Sequence, residues 1–188
     1  MGFFDFYKTK KTNSVSIPAT KPLHGRDIGS NISQLLHNIQ DSNTTPIDRH
    51  FDYIAIQDYY YKRRDEDPEN VDRCIKYCWE DIHHLPEVEQ QYINEKLIYL
   101  EDVFKRKRIS KSEYLKKYKQ YKTIGFDANI PAFERLAIIY EKRNEFSQCI
   151  EICDLALDYY KKNPNRIPDY FVNKKERCLK RLSSNCYK

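Results

Sequence analysis

Apolar residues recur along this chain at spacings of three and four, the period that places them on one face of a helix. The sharpest instance spans Ala132 to Tyr140, continues through Phe146 and ends with Cys149 to Ala156. Phe133, Leu136, Ala137 and Tyr140 line one face of a first helix, and Cys149, Ile152, Cys153 and Ala156 line one face of a second. Ala137 opposite Cys149 and Ala156 lets the two axes approach closely, while Phe133, Tyr140 and Phe146 fill the space beside the crossing.

The same period predicts further helices. Ser30 caps one from Asn31 to Gln40 with Ile32, Leu35, Leu36 and Ile39 inward, and Asp41 to Pro46 breaks the chain. A helix from Ile47 to Arg64 carries Phe51, Ile54 and Ala55 inward. After Pro68 comes another with Val71, Cys74, Ile75, Cys78 and Ile82, and Pro86 ends the loop that follows it. Ile93, Leu97, Leu100, Val103 and Phe104, then Tyr114, Leu115, Tyr118 and Tyr121, form the stripes of a further hairpin. Ser110 and Glu113 make a capping box at the start of its second helix. A terminal helix from Pro168 to Leu182 presents Phe171, Val172, Lys175, Cys178, Leu179 and Leu182.

The chain repeats itself in part. Phe51, Ile54 and Ala55 match Phe133, Leu136 and Ala137, and Cys74 to Cys78 match Cys149 to Cys153. The earlier copy departs by placing Asp58 where Tyr140 stands and Asp81 where Ala156 stands, and by a turn seven residues longer. The stronger pair resembles a tetratricopeptide repeat, whose pattern runs aromatic, Leu, small, Tyr, then small, aromatic, small; Cys153 departs from it. The resemblance covers residues 130–185, more loosely 47–85, and leaves the middle hairpin as a diverged repeat or an inserted pair. It implies an all-α, right-handed array of antiparallel helix pairs, an α-solenoid of about three pairs with a C-terminal capping helix. This domain would span 30–188, behind a poorly ordered extension at 1–29.

The function implied by that resemblance is protein binding, as an adaptor, regulator or inhibitor that holds a peptide or protein segment on the concave face. Positions flanking the core stripe would supply this surface: Glu134, Ile138 and Glu141 in the strong repeat, Asp52, Ile56 and Tyr59 in the weak one. An acid followed by Ile in both sets describes an acid-rimmed groove with an isoleucine floor, suited to a basic, partly apolar peptide. The alternative is that these acids are ordinary solvated helix residues. Lys and Asn residues that clamp a terminal carboxylate in some tetratricopeptide proteins are not matched.

Composition narrows the setting. Charged residues make up 32% of the chain and glycines number only four, which fits slender helical elements better than a strand-and-turn fold. No apolar run approaches the ~20 residues that cross a bilayer, and six cysteines without a secretory segment point to a reducing, cytoplasmic compartment. The resemblance, with heavy use of Tyr, Lys, Ile and Asn, points to a low-GC bacterium or phage. Net charge alternates from +2 over 1–50 to −8 over 51–104, +8 over 105–122, −4 over 123–158 and +7 over 159–188. Such blocks either steer a charged partner or neighbouring copy, or neutralise one another within the fold.

Candidate chemistry is sparse. Cys74 and Cys78, with His83 and His84 close by, have two zinc-ligand types, but both cysteines fall on the inner stripe, where small soft side chains pack. No metal site and no cofactor are expected. Gly-rich phosphate loops, nucleophile elbows and His-Glu-x-x-His are missing, so no enzyme activity is expected. The run Lys105, Arg106, Lys107, Arg108, with Tyr114, Tyr118 and Tyr121 interleaved among later lysines, is the alternative nucleic-acid surface, against a solvated basic helix end. Phe3, Phe4, Phe6 and Tyr7 beside Lys8, Lys10 and Lys11 could dock on a membrane, in a partner's groove or on the protein's own scaffold.

Overall fold

A computed structural model describes residues 32–162 and 169–185. These form seven α-helices and no strand among the described residues: α1 (Ile32–Asn38), α2 (Pro46–Lys62), α3 (Glu69–Lys105), α4 (Lys111–Ile124), α5 (Pro131–Lys142), α6 (Phe146–Tyr160) and α7 (Asp169–Asn185). The fold is an all-α array in which α1 packs on α2, α2 on α3, α3 on α4, α5 on α6 and α6 on α7, while α5 joins the later helices to the earlier ones by packing against α3 and α2. The N-terminal extension, the Ser30 cap, Cys186 and the Pro168 start of the last helix lie outside the described residues.

Local chemistry sets the helix starts. Thr45 accepts a hydrogen bond from the Asp48 amide at 3.2 Å and donates to its carboxylate at 2.7 Å, with Pro46 in the first turn of α2. Ser110 accepts from the Glu113 amide at 3.2 Å, as the capping box requires. The Tyr160 hydroxyl accepts the Ile130 amide at 2.8 Å, pinning the entry to α5. Gly125, at φ 68°, ends α4 beneath the Glu89 carboxylate, where a Cβ would collide with that side chain.

Pro86 does not break the chain. α3 continues through it for 37 residues, about 55 Å, so the two helices expected on either side of Pro86 are one. Pro86 lies on the exposed side of the helix, while Leu85 and Val88 anchor it to the core on both sides of the lost hydrogen bond. The distal half of α3 and α4 form the middle hairpin. No α4 side chain is buried; Tyr114, Tyr118 and Tyr121 are half-buried and Leu115 is exposed, so the expected inward stripe is only a partial seam.

The pair α5–α6 matches expectation residue by residue. Phe133, Leu136, Ala137, Tyr140, Cys149, Ile152, Cys153 and Ala156 are all buried, and the Cys149 thiol donates to the Ala137 carbonyl at 3.3 Å across the crossing. In α2–α3 the same contact joins the Cys74 thiol to the Gln57 carbonyl at 3.6 Å. Gln57, not Ala55, is therefore the counterpart of Ala137. The buried residues Tyr53, Ile56, Gln57 and Tyr60 repeat the spacing of Phe133, Leu136, Ala137 and Tyr140. The expected inner face, Phe51, Ile54 and Ala55, was two residues out of register: Phe51 is 44% exposed and the other two are half-buried. From Tyr53 to Cys74 is 21 residues against 16 from Phe133 to Cys149, so the longer turn carries five extra residues, not seven.

α7 closes the described array against α6 and α5. Phe171, Lys174 and Cys178 are buried, whereas Val172, Leu179 and Leu182, expected inward, are exposed on the outer flank. Cys178 and Cys149 sulfurs approach to 3.2 Å. Lys175 reaches Asp154 at 2.6 Å.

Candidate peptide-binding surfaces

The six residues proposed for a concave groove do not form one. Ile56 is fully buried and belongs to the core; its match to Ile138 came from the register error, and the true counterpart of Ile138 is Asp58. Glu141 accepts Lys174 at 2.9 Å and Arg177 at 2.7 Å from α7. The Arg177 hydrogen bond, opposed by burial and reinforced by Lys174, holds its carboxyl at about 2. Asp58 is likewise taken, by Arg135 of α5, whose second nitrogen donates to the Gln57 side chain at 3.1 Å. Asp52 is half-buried, its pKa raised by desolvation, and Tyr59 is half-buried under the Arg63 guanidinium at 4.1 Å. Ile138 is half-buried, which leaves Glu134 as the one exposed member. Asp58 and Glu141 thus tie α5 to α2 and to α7.

A groove of the expected character lies elsewhere. Pro46 at the head of α2 and Pro86, Glu87, Gln90, Gln91, Asn94, Glu95 and Ile98 of α3 line an open depression of about 540 Å³. Its apolar lining is Pro46, Pro86 and Ile98, the last 69% exposed; its acids are Glu87, whose carboxylate meets His84 Nδ1 at 3.2 Å, and Glu95, and no Lys or Arg is among its described lining residues. Glu87, Gln91, Asn94 and Ile98 follow at spacings of four, three and four, so one helix face presents them together. The wall is well anchored. Gln91 accepts the Ile47 amide at 2.9 Å and donates to Glu95 at 2.8 Å, and His84 donates to the Pro46 carbonyl at 3.1 Å. Burial lowers the His84 pKa, against the Pro46 hydrogen bond. The signal in the sequence was an isolated Ile among Asn, Glu and Gln on the polar side of α3.

A second groove, about 420 Å³, has the opposite charge. Asn144, Phe146, Arg177, Lys180, Arg181 and Ser184 line it between the α5–α6 turn and α7. Arg177 is engaged by Glu141 and Arg181 lies over the Phe146 ring at 5.8 Å.

The candidate nucleic-acid run is partly neutralised. Lys105 pairs with Glu101 at 2.9 Å and Arg106 with Asp102 at 3.0 Å, while Lys107 and Arg108 are exposed in the loop before α4. Tyr114 packs on Phe104 at 4.7 Å, and Lys122 lies 4.9 Å over Tyr118. Among the described residues no group of three or more His, Cys, Asp or Glu is placed to hold a metal ion. Cys74 and Cys78 are fully buried, and His83 turns away to stack on Trp79.

No described helix is long and apolar enough to cross a membrane. Fold and surfaces together define an all-α protein of helices packed in neighbouring pairs, carrying open grooves. Comparison with protein-family models, with curated proteins and with solved structures finds no match.

Proposed function

We propose that this chain is a non-enzymatic protein-binding module of tetratricopeptide-like build, which takes a basic, partly apolar peptide segment in the groove between Pro46 and Ile98. The observation that carries the reading is the meeting of Pro46, Pro86 and Ile98 with the acids Glu87 and Glu95 in a lining without Lys or Arg among the described residues, with Ile98 left 69% exposed on a firmly hydrogen-bonded wall. The apolar lining supplies affinity and the acids select for charge. The tetratricopeptide likeness rests on the shared spacing of the buried stripes in α2 and α5 and on the thiol–carbonyl contact at each crossing. A binding role is favoured over catalysis because the one His–Asp hydrogen bond among the described residues, His50 to Asp81, is closed to substrate, at 1% and 0% exposure.

Selection of random 12-residue peptides on the purified chain, counter-selected on Ile98→Asp, tests this. Enriched sequences should combine Lys or Arg with aromatic or aliphatic residues. Their affinity should fall at least about tenfold in Glu87→Lys/Glu95→Lys at unchanged Tm. Enrichment of acidic sequences, or affinity indifferent to Ile98→Asp, rejects the site.

A second reading, contact with nucleic acid, is favoured by α4, which buries no side chain and holds Lys111, Lys116 and Lys119 exposed near Lys107 and Arg108. It predicts a log-linear loss of binding with salt that flattens in Lys107→Ala/Arg108→Ala.

A further inference from the structure

The acid-rimmed groove and the chain's own N-terminal segment complement one another. Residues 2–11 hold Phe3, Phe4, Phe6 and Tyr7, then Lys8, Lys10 and Lys11 against a single acid, Asp5, for a net charge of +2. The groove offers an apolar lining and two carboxylates, Glu87 and Glu95, with no Lys or Arg among its described lining residues. The second groove, by contrast, is lined by Arg177, Lys180 and Arg181. It would repel the three lysines. Charge thus favours the acid-rimmed groove over the basic one.

Length permits the match. The described chain begins at Ile32 in α1, and α1 packs on α2, whose first residue, Pro46, is part of the groove. α1 is about 10 Å long and the turn after it extends at most about 27 Å, so Pro46 lies within about 40 Å of Ile32. The 20 residues between Lys11 and Ile32 span up to about 70 Å when extended, with a root-mean-square reach of about 25 Å as coil.

We infer that the segment Phe3–Lys11 is an intramolecular ligand of the Pro46–Ile98 groove, placing its aromatics on Pro46, Pro86 and Ile98 and its lysines against Glu87 and Glu95. This rests on the proposed peptide-binding role of that groove and adds regulation to it: a partner must displace the tail. A tether of this length holds its ligand at an effective concentration on the order of 1 mM. A segment that binds in trans with a Kd of about 0.1 mM therefore occupies the groove about nine-tenths of the time. Competing peptides then bind about tenfold more weakly than they would to an empty groove.

The test uses the full chain and a full-length variant carrying Phe3→Ser, Phe4→Ser and Phe6→Ser. The probe is a fluorescein-labelled synthetic peptide of residues 2–12, read by anisotropy. The Ile98 methyl resonance, assigned through Ile98→Val, is read in parallel. The peptide should bind the triple-Ser variant about tenfold more tightly than the unmodified chain. That binding should vanish when Ile98→Asp or Glu87→Lys/Glu95→Lys is added, and the Ile98 methyl should shift between the two forms. Equal binding to both forms with an unmoved methyl overturns the inference. If this peptide fails to bind the triple-Ser variant while a selected basic–aromatic peptide binds it through Ile98, the tail assignment falls and the groove stands. If neither binds, both fall. Sedimentation of the unmodified chain with phosphatidylserine vesicles, lost in the triple-Ser variant and without any change at Ile98, assigns the aromatics to a membrane instead.

Discussion

The pairs α2–α3 and α5–α6 share one geometry and fill it with opposite chemistry. At the second crossing sit Ala137, Cys149 and Ala156, all fully buried and none with a polar side chain larger than a thiol. At the first, the same places hold Gln57, Cys74 and Asp81, and His50 stands where Ile130 stands. His50 Nδ1–H donates to Asp81 at 2.5 Å; the Gln57 amide donates to Asp81 at 3.0 Å and to the Tyr77 carbonyl at 3.2 Å. Arg135 then completes Gln57 from α5. Where small side chains let backbones close on one another, larger ones are admitted only if every polar atom finds a partner. The apolar solution tolerates loss and resists enlargement. The polar solution resists loss, and through Arg135 it also ties the first pair to the second.

The largest effect should come from breaking the polar crossing. Asp81→Ala gives the first pair the residue found at Ala156, yet it strands His50 and Gln57 in the core. A loss of about 3–5 kcal/mol in denaturant unfolding is expected. The triple change His50→Ile/Gln57→Ala/Asp81→Ala installs the whole apolar set of the second pair and should recover to within about 1 kcal/mol of the native chain. Recovery no better than Asp81→Ala would mean the two crossings are not equivalent.

Enlarging the apolar crossing comes next. Ala137→Leu places three extra carbons where the Cys149 sulfur lies 3.3 Å from the Ala137 carbonyl. Forcing α5 and α6 apart should cost about 2–3 kcal/mol, measured as a lowered urea midpoint. Ala137→Gly, which adds nothing, should cost only about 1 kcal/mol through helix propensity. Similar losses for both would remove close approach as the reason for the small residue.

The joints between pairs are ionic, and their strongest member titrates. Glu141, held at about 2 by Arg177 and then Lys174, lies well below its ordinary carboxyl value. A depressed acid stabilises the fold fully above its unfolded pKa and loses that contribution as pH falls toward the folded one. The grip on α7 should therefore be complete above about pH 4.5 and fade toward pH 2, a contribution of about 2 kcal/mol after allowing for the half-exposed Arg177. Thermal unfolding of the native chain and Glu141→Gln should differ at pH 7 and converge near pH 2. A gap that persists there would assign the effect to packing.

How much of this was legible in the sequence differs between the two pairs. The α5–α6 stripe was readable because the inward positions of both helices are filled by apolar side chains and thiols with no polar intruder, so period and burial coincide. In α2 the inward residues include His50 and Gln57, while apolar Phe51 faces out; a reading that follows hydrophobicity alone rotates the helix by two residues. That rotation carried Ile56 onto the candidate surface and produced a spurious match between repeats. Pro86 departs from its sequence expectation for a related reason. A proline stops a helix only if the lost hydrogen bond cannot be placed at the surface, and sidedness is a property of the fold. The groove that resulted shows in the sequence only as the lone Ile98 among polar residues, because it needs Pro46 and Ile98 together, 52 positions apart.

The smallest effect tests the register most directly. Phe51 is the residue that hydrophobicity assigns to the core of α2, yet it is 44% exposed and touches His50 only obliquely, at 5.7 Å between ring centroids. Phe51→Ser should change the unfolding free energy by no more than about 0.5 kcal/mol, because most of the ring already meets water. Tyr53, two positions on, stands where Phe133 stands in the second pair, and burial pushes its phenol up to about 12. Tyr53→Ser removes a buried ring and should cost at least about 3 kcal/mol. The ratio matters more than either value. If the two substitutions proved equally damaging, α2 would be turned relative to the arrangement described, Gln57 would no longer face Asp81, and the parallel between the two crossings would fail with it.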